Sequence, residues 1–226
     1  MEYNPRYAKL AEFIRENAHL MADGTLDKLY EEVRIHNLDW VPYLTLLMNS
    51  IGISPEDRLR EIPKFFGYYI NIPIHIPEGI TAIGDLAYTG NPYQGELVIP
   101  GSVETIGEGS FEAVGEITNI KFNKGLKVIG DRSFSGTYGF DYVYIPDGCE
   151  IIGYGAFMQS IDLRHVSIPT SVKSIEMLAF GGLCDLTIEF RGPFSEFNKI
   201  DIHKDAFKYS DSVKVVLTDT EFMIKS

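Results

Sequence analysis

The stretch Ile99–Phe111, with the sequence IPGSVETIGEGSF, contains the pattern that decides the fold of this chain. Related segments begin at a constant interval of 23 residues, at Ile76, Ile99, Phe122, Ile145 and Ile168. Seven residues after each start lies an isoleucine, and five residues further on lies an aromatic residue preceded by Ala or Ser. These aromatic residues are Tyr88, Phe111, Phe134, Phe157 and Phe180. A fixed period of this length is typical of proteins whose repeats stack along one axis.

Each repeat has the pattern of a short strand followed by a turn. The residues that end a repeat alternate apolar and polar, as in Glu96–Ile99 and His165–Ile168, which predicts a strand with one buried face. Proline and the Gly or Ser that follows it end this strand in a turn. A sixth, irregular copy begins at Phe190 and keeps the isoleucine-to-aromatic spacing in Ile202 and Phe207. We therefore expect a solenoid of about six coils in which neighbouring coils share one core.

The pattern IPxGVxxIGxxAF, of which Ile99–Phe111 and its copies are variants, resembles the BspA-like, or treponemal-type, leucine-rich repeat. The resemblance covers roughly residues 70–217. It implies a leucine-rich-repeat solenoid that serves binding or adhesion instead of catalysis. Surface-exposed members are secreted, whereas this sequence has neither a recognisable secretion signal nor an Asn-x-Ser/Thr sequon, so a secreted adhesin is kept only as a further alternative.

The residues before the repeats have helical spacing. Apolar residues between Tyr7 and Met21 fall near one helix face, Thr25 can cap a second helix, and Leu38–Ile51 is a third apolar segment. We predict an α+β repeat protein with a helical N-terminal domain over residues 1–61 and a solenoid with an irregular C-terminal cap over residues 62–226. The helical domain either only covers the open end of the solenoid or is a separate recognition or assembly domain, and the two roles are compatible.

Composition and charge exclude several classes of protein. The chain has 226 residues with 45% hydrophobic content, enough to bury a core. Acids outnumber bases 32 to 20, and residues 76–226 alone contain 21 acids and 12 bases. This balance argues against direct nucleic-acid binding. Because no apolar run reaches the roughly 20 residues that cross a bilayer, we predict no membrane span and a cytoplasmic location, in a host cell or virion if the source is viral.

No spacing in the sequence indicates catalysis, a cofactor or a metal. Nucleotide-binding, zinc-protease and hydrolase motifs are absent, and the five histidines lie in different segments without ligand spacing. Cys149 occupies a slot that is filled by Ile80, Val103, Leu126 and Val172 in other copies, which predicts a buried thiol; a nucleophile is the alternative. We expect no catalytic, cofactor-binding or metal-binding residues and no enzymatic activity.

The strand alternation also predicts which side chains face outward. One outward row contains Glu96, Asn119, Tyr142, His165 and Thr187, and the next contains Val98, Lys121, Tyr144, Ser167 and Glu189. Tyrosine is enriched at interfaces because it offers a large rigid area and a hydroxyl, although β-propensity alone would also explain exposed tyrosines in strands. The predicted partner-binding residues are Asn119, Lys121, Tyr142, Tyr144, His165 and Glu189.

The functional hypothesis is therefore non-enzymatic binding of a protein partner through one sheet face. In one variant the acidic surface blocks a cellular machine. The alternative is a structural or self-assembling component, such as a virion- or envelope-associated protein. Uncovered apolar surface near Phe65–Ile70 or Phe222–Ile224 would favour that alternative.

Overall fold

The computed structural model describes residues 61–62, 74, 76 and 78–224, with side chains for all of these except residues 61–62. The helical domain predicted for residues 1–61 lies outside the described residues apart from Glu61, which belongs to a strand. The apolar segment Phe65–Ile70 also lies outside them. Within the described residues the only helix is the four-residue α1 (Phe194–Phe197).

Two sheets run along the solenoid, and each of the six repeat coils contributes one strand to each of them. The first, here called the short-strand sheet, has the order β1-β2-β4-β6-β8-β10-β12. All of its strands are two residues long. Their bounds are β1 (Glu61–Ile62), β2 (Ala82–Ile83), β4 (Thr105–Ile106), β6 (Val128–Ile129), β8 (Ile151–Ile152), β10 (Ser174–Ile175) and β12 (Asp201–Ile202).

The second sheet, here called the long-strand sheet, has the order β3-β5-β7-β9-β11-β13-β14. Its bounds are β3 (Gly95–Ile99), β5 (Ile117–Phe122), β7 (Tyr142–Tyr144), β9 (His165–Ile168), β11 (Leu186–Phe190), β13 (Val213–Val216) and β14 (Glu221–Ile224). All neighbours pair in parallel except β13 and β14, which are antiparallel. A parallel neighbour requires a crossover, and here the crossover is the rest of the coil.

The register of both sheets follows the period of the sequence. In the short-strand sheet Ile106 pairs with Ile129, and in the long-strand sheet Leu97 pairs with Ile120, each 23 residues apart. The irregular sixth copy keeps this arrangement, because Ile202 pairs with Ile175 although α1 is inserted before it. The predicted solenoid of about six stacked coils is confirmed.

An aromatic ladder fills the centre of the solenoid. The six rings of Tyr88, Phe111, Phe134, Phe157, Phe180 and Phe207 stack on one another with centroids 5.2–5.9 Å apart and planes within 10° of parallel. All six side chains are buried. Because the coil spacing is close to the stacking distance of aromatic rings, a repeat that places an aromatic at the same position in every coil builds a continuous core.

Small polar side chains beside the ladder fall into two groups. Thr137, Ser160 and Ser210 donate hydrogen bonds of 2.7–2.9 Å to the carbonyl oxygens of ladder residues in the preceding coil. Ser110 and Ser133 occupy the small-residue slot directly before a ladder ring, where other copies have alanine, and their buried hydroxyls have no hydrogen-bond partner. Burial of an unpaired hydroxyl is unfavourable, so the two groups contribute to stability with opposite sign.

Aromatic residues also cover the C-terminal end of the solenoid. Phe197 of α1 makes edge-to-face contacts with Phe190 and Phe222, and Phe222 makes another with Phe194. Phe222 and Ile224 pack against the core and are only partly exposed, so most of the apolar surface expected at Phe222–Ile224 is covered. Met223, which points the other way, remains 56% exposed.

Candidate partner-binding surface

The candidate site is the side of β5, β7, β9 and β11 that points away from the core, here called the outer face. Along these strands inward residues are buried, as Ile120, Val143, Val166 and Ile188 all show. Their neighbours point away from the core, since successive side chains of a strand lie on opposite sides of the sheet. All six residues predicted for partner binding are exposed on this face: Asn119, Lys121, Tyr142, Tyr144, His165 and Glu189.

The sheet register brings the central members of this set together. Tyr142 pairs with His165 across β7 and β9, and Thr187 pairs with His165 from the other side. Because Ile120 pairs with Val143, Asn119 and Lys121 lie on the strand next to Tyr142 and Tyr144. Glu189 pairs with Ser167 and therefore lies two strands away from Tyr144, at the rim of the cluster. The two tyrosines are each 43% exposed.

One member of the predicted outward rows differs from the expectation. Ser167 does point outward, as the alternation requires, but it is only 1% exposed. The guanidinium of Arg191 covers it, with Nη1 donating a hydrogen bond of 3.2 Å to the Ser167 Oγ. The direction of the side chain was predictable from the strand period, whereas its burial depends on a residue in the next coil.

Arg191 is a part of this surface that the sequence analysis missed. It follows β11, and its Nη2 donates hydrogen bonds of 2.8 Å to the carbonyl oxygen of Ile145 and to Oδ1 of Asp147. Its guanidinium carbon lies 4.0 Å from the centre of the Tyr144 ring. One signal was available in the sequence: Arg191 occupies the position after the strand that four of the other copies fill with proline, at Pro77, Pro100, Pro146 and Pro169.

The rim of the outer face contains polar and charged groups of both signs. Nδ2 of Asn119 donates a hydrogen bond of 2.7 Å to Oε1 of Glu96 on β3. Lys214 on β13 forms an ion pair of 2.8 Å with Glu221 on β14. With Lys121 and Glu189 also exposed, this face has no strong excess of either charge.

The acidic excess lies mainly in the turns that lead from the short-strand sheet to the long-strand sheet. These turns and their flanks contain Asp85, Glu108, Glu112, Glu116, Asp131, Asp162, Asp185 and Asp211. Some of these carboxylates have a structural role, since Asp85 and Asp131 each accept a hydrogen bond from a backbone N–H of the following coil. The acidic surface is therefore separate from the cluster of tyrosines.

Chemically reactive groups do not converge on the outer face. Cys149 is buried, as predicted, and burial raises the pKa of its thiol to about 12. Cys184 is exposed, and a hydrogen bond and the negative charge of Asp211 raise the pKa of its thiol. Within residues 78–224 no group of three or more His, Cys, Asp or Glu side chains is arranged to hold a metal ion. In the same part of the chain no helix is long and apolar enough to cross a membrane.

Comparison with known proteins agrees with the geometry of the coils. The family model described as the BspA type leucine rich repeat region matches residues 81–214 in six copies, which is more than half of the chain. No curated protein and no solved structure gives a significant match. The repeats of the family model coincide with the coils that carry the aromatic ladder and the outer face.

Proposed function

The chain belongs to the BspA-type leucine-rich repeat family, and from this premise we propose that it binds a partner protein through its outer face without catalysing a reaction. Leucine-rich-repeat solenoids are typically interaction modules, because stacked coils present an extended, rigid surface. One observation carries the proposal: Tyr142 and Tyr144 are both 43% exposed at the centre of an ordered sheet. Exposed aromatic residues on a rigid support are the usual anchors of protein interfaces.

The surroundings of the two tyrosines fit a protein partner. A protein interface typically has an aromatic or apolar centre and a polar rim. Here the centre is formed by Tyr142, Tyr144 and His165, and the rim contains Lys121 and Glu189. The expected partner surface has apolar side chains that pack against the tyrosine rings and charges of both signs around them.

The test is a comparison of three versions of the tagged protein in a lysate of the cells that express it. The first is the wild type, the second is Tyr142→Ala with Tyr144→Ala, and the third is Tyr154→Ala with Tyr209→Ala. The third is a matched control, because Tyr154 and Tyr209 lie in turns away from the outer face and the change removes the same side chains. The proposal expects a protein that the wild type and the control capture and the second variant loses; equal capture by all three would contradict it.

A finer form of the proposal is that binding blocks the partner through the acidic turns. It is supported by the acidic residues that follow one another from coil to coil, such as Asp85, Glu108 and Asp131. Because exposed charges are screened by salt, this form requires affinity to fall steeply as ionic strength increases. A salt-independent affinity would remove its support without affecting the binding proposal itself.

Self-assembly is the second candidate, and the position of β14 favours it. Within the described residues β14 is the last strand of the long-strand sheet and pairs only with β13, so its other edge is open to a further strand. Met223 adds exposed apolar surface there. Sedimentation velocity between low and high micromolar concentration tests this candidate: it predicts a dimer that Met223→Lys weakens, and a monomer throughout would exclude it.

A further inference from the structure

We propose that Arg191 is a positioning residue of the outer face, which holds the ring of Tyr144 in its binding orientation before a partner arrives. The inference rests on the proposed function, because it assigns a role to one residue of that surface. The contact between Arg191 and Tyr144 joins different coils and is not part of the repeat pattern. If Arg191 holds Tyr144, the ring of Tyr144 should be less mobile than that of Tyr142.

The contacts of Arg191 fix the guanidinium at four points. Nη2 donates to the Ile145 carbonyl and to Asp147, Nη1 donates to Ser167, and the guanidinium carbon lies over the Tyr144 ring, 4.0 Å from its centre. Acceptors on several sides restrict both the position and the rotation of a planar guanidinium. A ring that packs against a group held in this way loses most of its freedom to change rotamer.

Arg191 can make these contacts because of its place in the irregular sixth copy. In four of the five other copies the corresponding position is proline, whose ring is too short to reach a neighbouring strand. The arginine side chain extends back from the end of β11 across β9 to β7, joining residues 46 positions apart in the chain. Its backbone N–H still donates a hydrogen bond to the Ile168 carbonyl, which continues the pairing of β11 with β9.

Tyr142 is an internal control for this effect. It lies on the same strand as Tyr144, points to the same face and has the same 43% exposure. Within the described coils no Lys or Arg side chain stacks on its ring, in contrast to Tyr144. The same strand therefore contains one tyrosine that packs against a fixed guanidinium, Tyr144, and one that does not, Tyr142.

Arg191 should strengthen binding more by holding the Tyr144 ring in place than by contacting the partner itself. Its side chain is only 21% exposed, and both protons of Nη2 are already in hydrogen bonds within the protein, which leaves little for a partner. Fixing one aromatic side chain in advance removes an entropic cost from association, and this corresponds to a factor of about 2 to 10 in affinity.

The first experiment needs no partner. Tyrosine-ring ¹³C relaxation in the free full-length protein should give a higher order parameter for Tyr144 than for Tyr142. In Arg191→Ala the value for Tyr144 should fall to that of Tyr142, and in Arg191→Lys it should fall less, since lysine keeps the charge but not the planar fork. Equal order of the two rings in the wild type, or no change of Tyr144 in either variant, would overturn the inference whatever the capture experiment shows.

The second experiment uses the purified partner that the tyrosine-dependent capture identifies. Arg191→Ala should weaken its affinity by a factor of about 2 to 10 in the wild-type background and have no effect in the Tyr144→Ala background. An equal loss in both backgrounds would mean that Arg191 acts through its own contact, which contradicts a positioning role. Capture that does not depend on Tyr142 and Tyr144 would instead refute the proposed function, while the relaxation measurement would still show whether Arg191 orders Tyr144.

Discussion

Two chemically identical substitutions in the core should change stability in opposite directions. Ser133→Ala removes a buried hydroxyl that has no hydrogen-bond partner. Ser160→Ala removes a buried hydroxyl that donates a 2.9 Å hydrogen bond to the Phe134 carbonyl in the preceding coil. Both serines are 0% exposed, so the comparison isolates the hydrogen bond from burial and from the loss of one oxygen atom.

The expected magnitudes follow from the hydrogen bonds alone. An unpaired buried hydroxyl costs about 1–3 kcal/mol of desolvation, part of which is offset by its packing contacts, so Ser133→Ala should raise the free energy of unfolding by about 1 kcal/mol. A paired hydroxyl contributes about 1 kcal/mol, and its removal also leaves the Phe134 carbonyl with one acceptor site unused, so Ser160→Ala should lower stability by about 1–2 kcal/mol. Alanine in the slot of Ser133 is already compatible with the coil, as Ala156 and Ala179 show.

Urea denaturation followed by circular dichroism measures both changes. The midpoints should move in opposite directions from the wild type with an unchanged m-value, which would show that the folded and unfolded states keep their exposed area. If Ser133→Ala destabilises the protein as much as Ser160→Ala does, the hydroxyl of Ser133 is paired in solution and the reasoning is wrong. Ser110→Ala repeats the test at an independent site with the same slot.

Further substitutions test the close approach of the coils and the buried thiol. Gly130→Ala should destabilise the protein by about 3 kcal/mol, because its Cβ would lie 2.3 Å from the backbone oxygen of Ile106. Gly136→Ala should cost only about 1 kcal/mol, because the space there is open and the penalty comes from a φ of +65°; equal costs in the same urea titration would contradict the packing argument. Burial holds the pKa of Cys149 at about 12, above that of an unfolded thiol, so the unfolded state loses its proton first and stability falls as pH rises above about 9. Cys149→Val lacks this contribution. Between pH 9 and 11 the free energy of unfolding of the wild type should therefore fall by up to about 1.4 kcal/mol per pH unit relative to that of the variant. If the free energies of unfolding of the two proteins change with pH in parallel, the pKa of Cys149 is not raised. In the native protein at pH 8 iodoacetamide should modify Cys184 and leave Cys149 untouched until unfolding, and mass spectrometry of the labelled peptides would reveal any reaction at Cys149.

The regular part of the fold was predictable because one short pattern repeats. A residue that recurs every 23 positions must occupy the same place in each coil, so the ladder from Tyr88 to Phe207 and the inward direction of Val143 and Val166 follow from the period. The exposure of the six predicted outer-face residues follows from strand alternation in the same way.

The parts that escaped prediction depend on contacts between particular coils. Ser167 is buried by Arg191, which lies 24 residues further along the chain, and no local pattern encodes the reach of that side chain. The antiparallel β14 and the packing of Phe222 against Phe197 depart from the repeat, so the period gives no information about them. The repeat period therefore predicts the coils and their core, whereas the burial of Ser167 and the position of β14 depend on residues that depart from the repeat.

Site-specific photo-crosslinking in the native cell tests most directly whether the partner binds through the outer face. Benzoylphenylalanine, an aromatic residue, replaces Tyr142 or Tyr144 on the outer face in two variants, and Tyr154 or Tyr209 in the turns in two controls. Binding through the outer face should give a covalent adduct with the same protein from both outer-face positions and none with that protein from the controls. An adduct that forms only from Tyr154 or Tyr209, or no adduct from the outer face while the protein is captured, would show that the partner binds elsewhere.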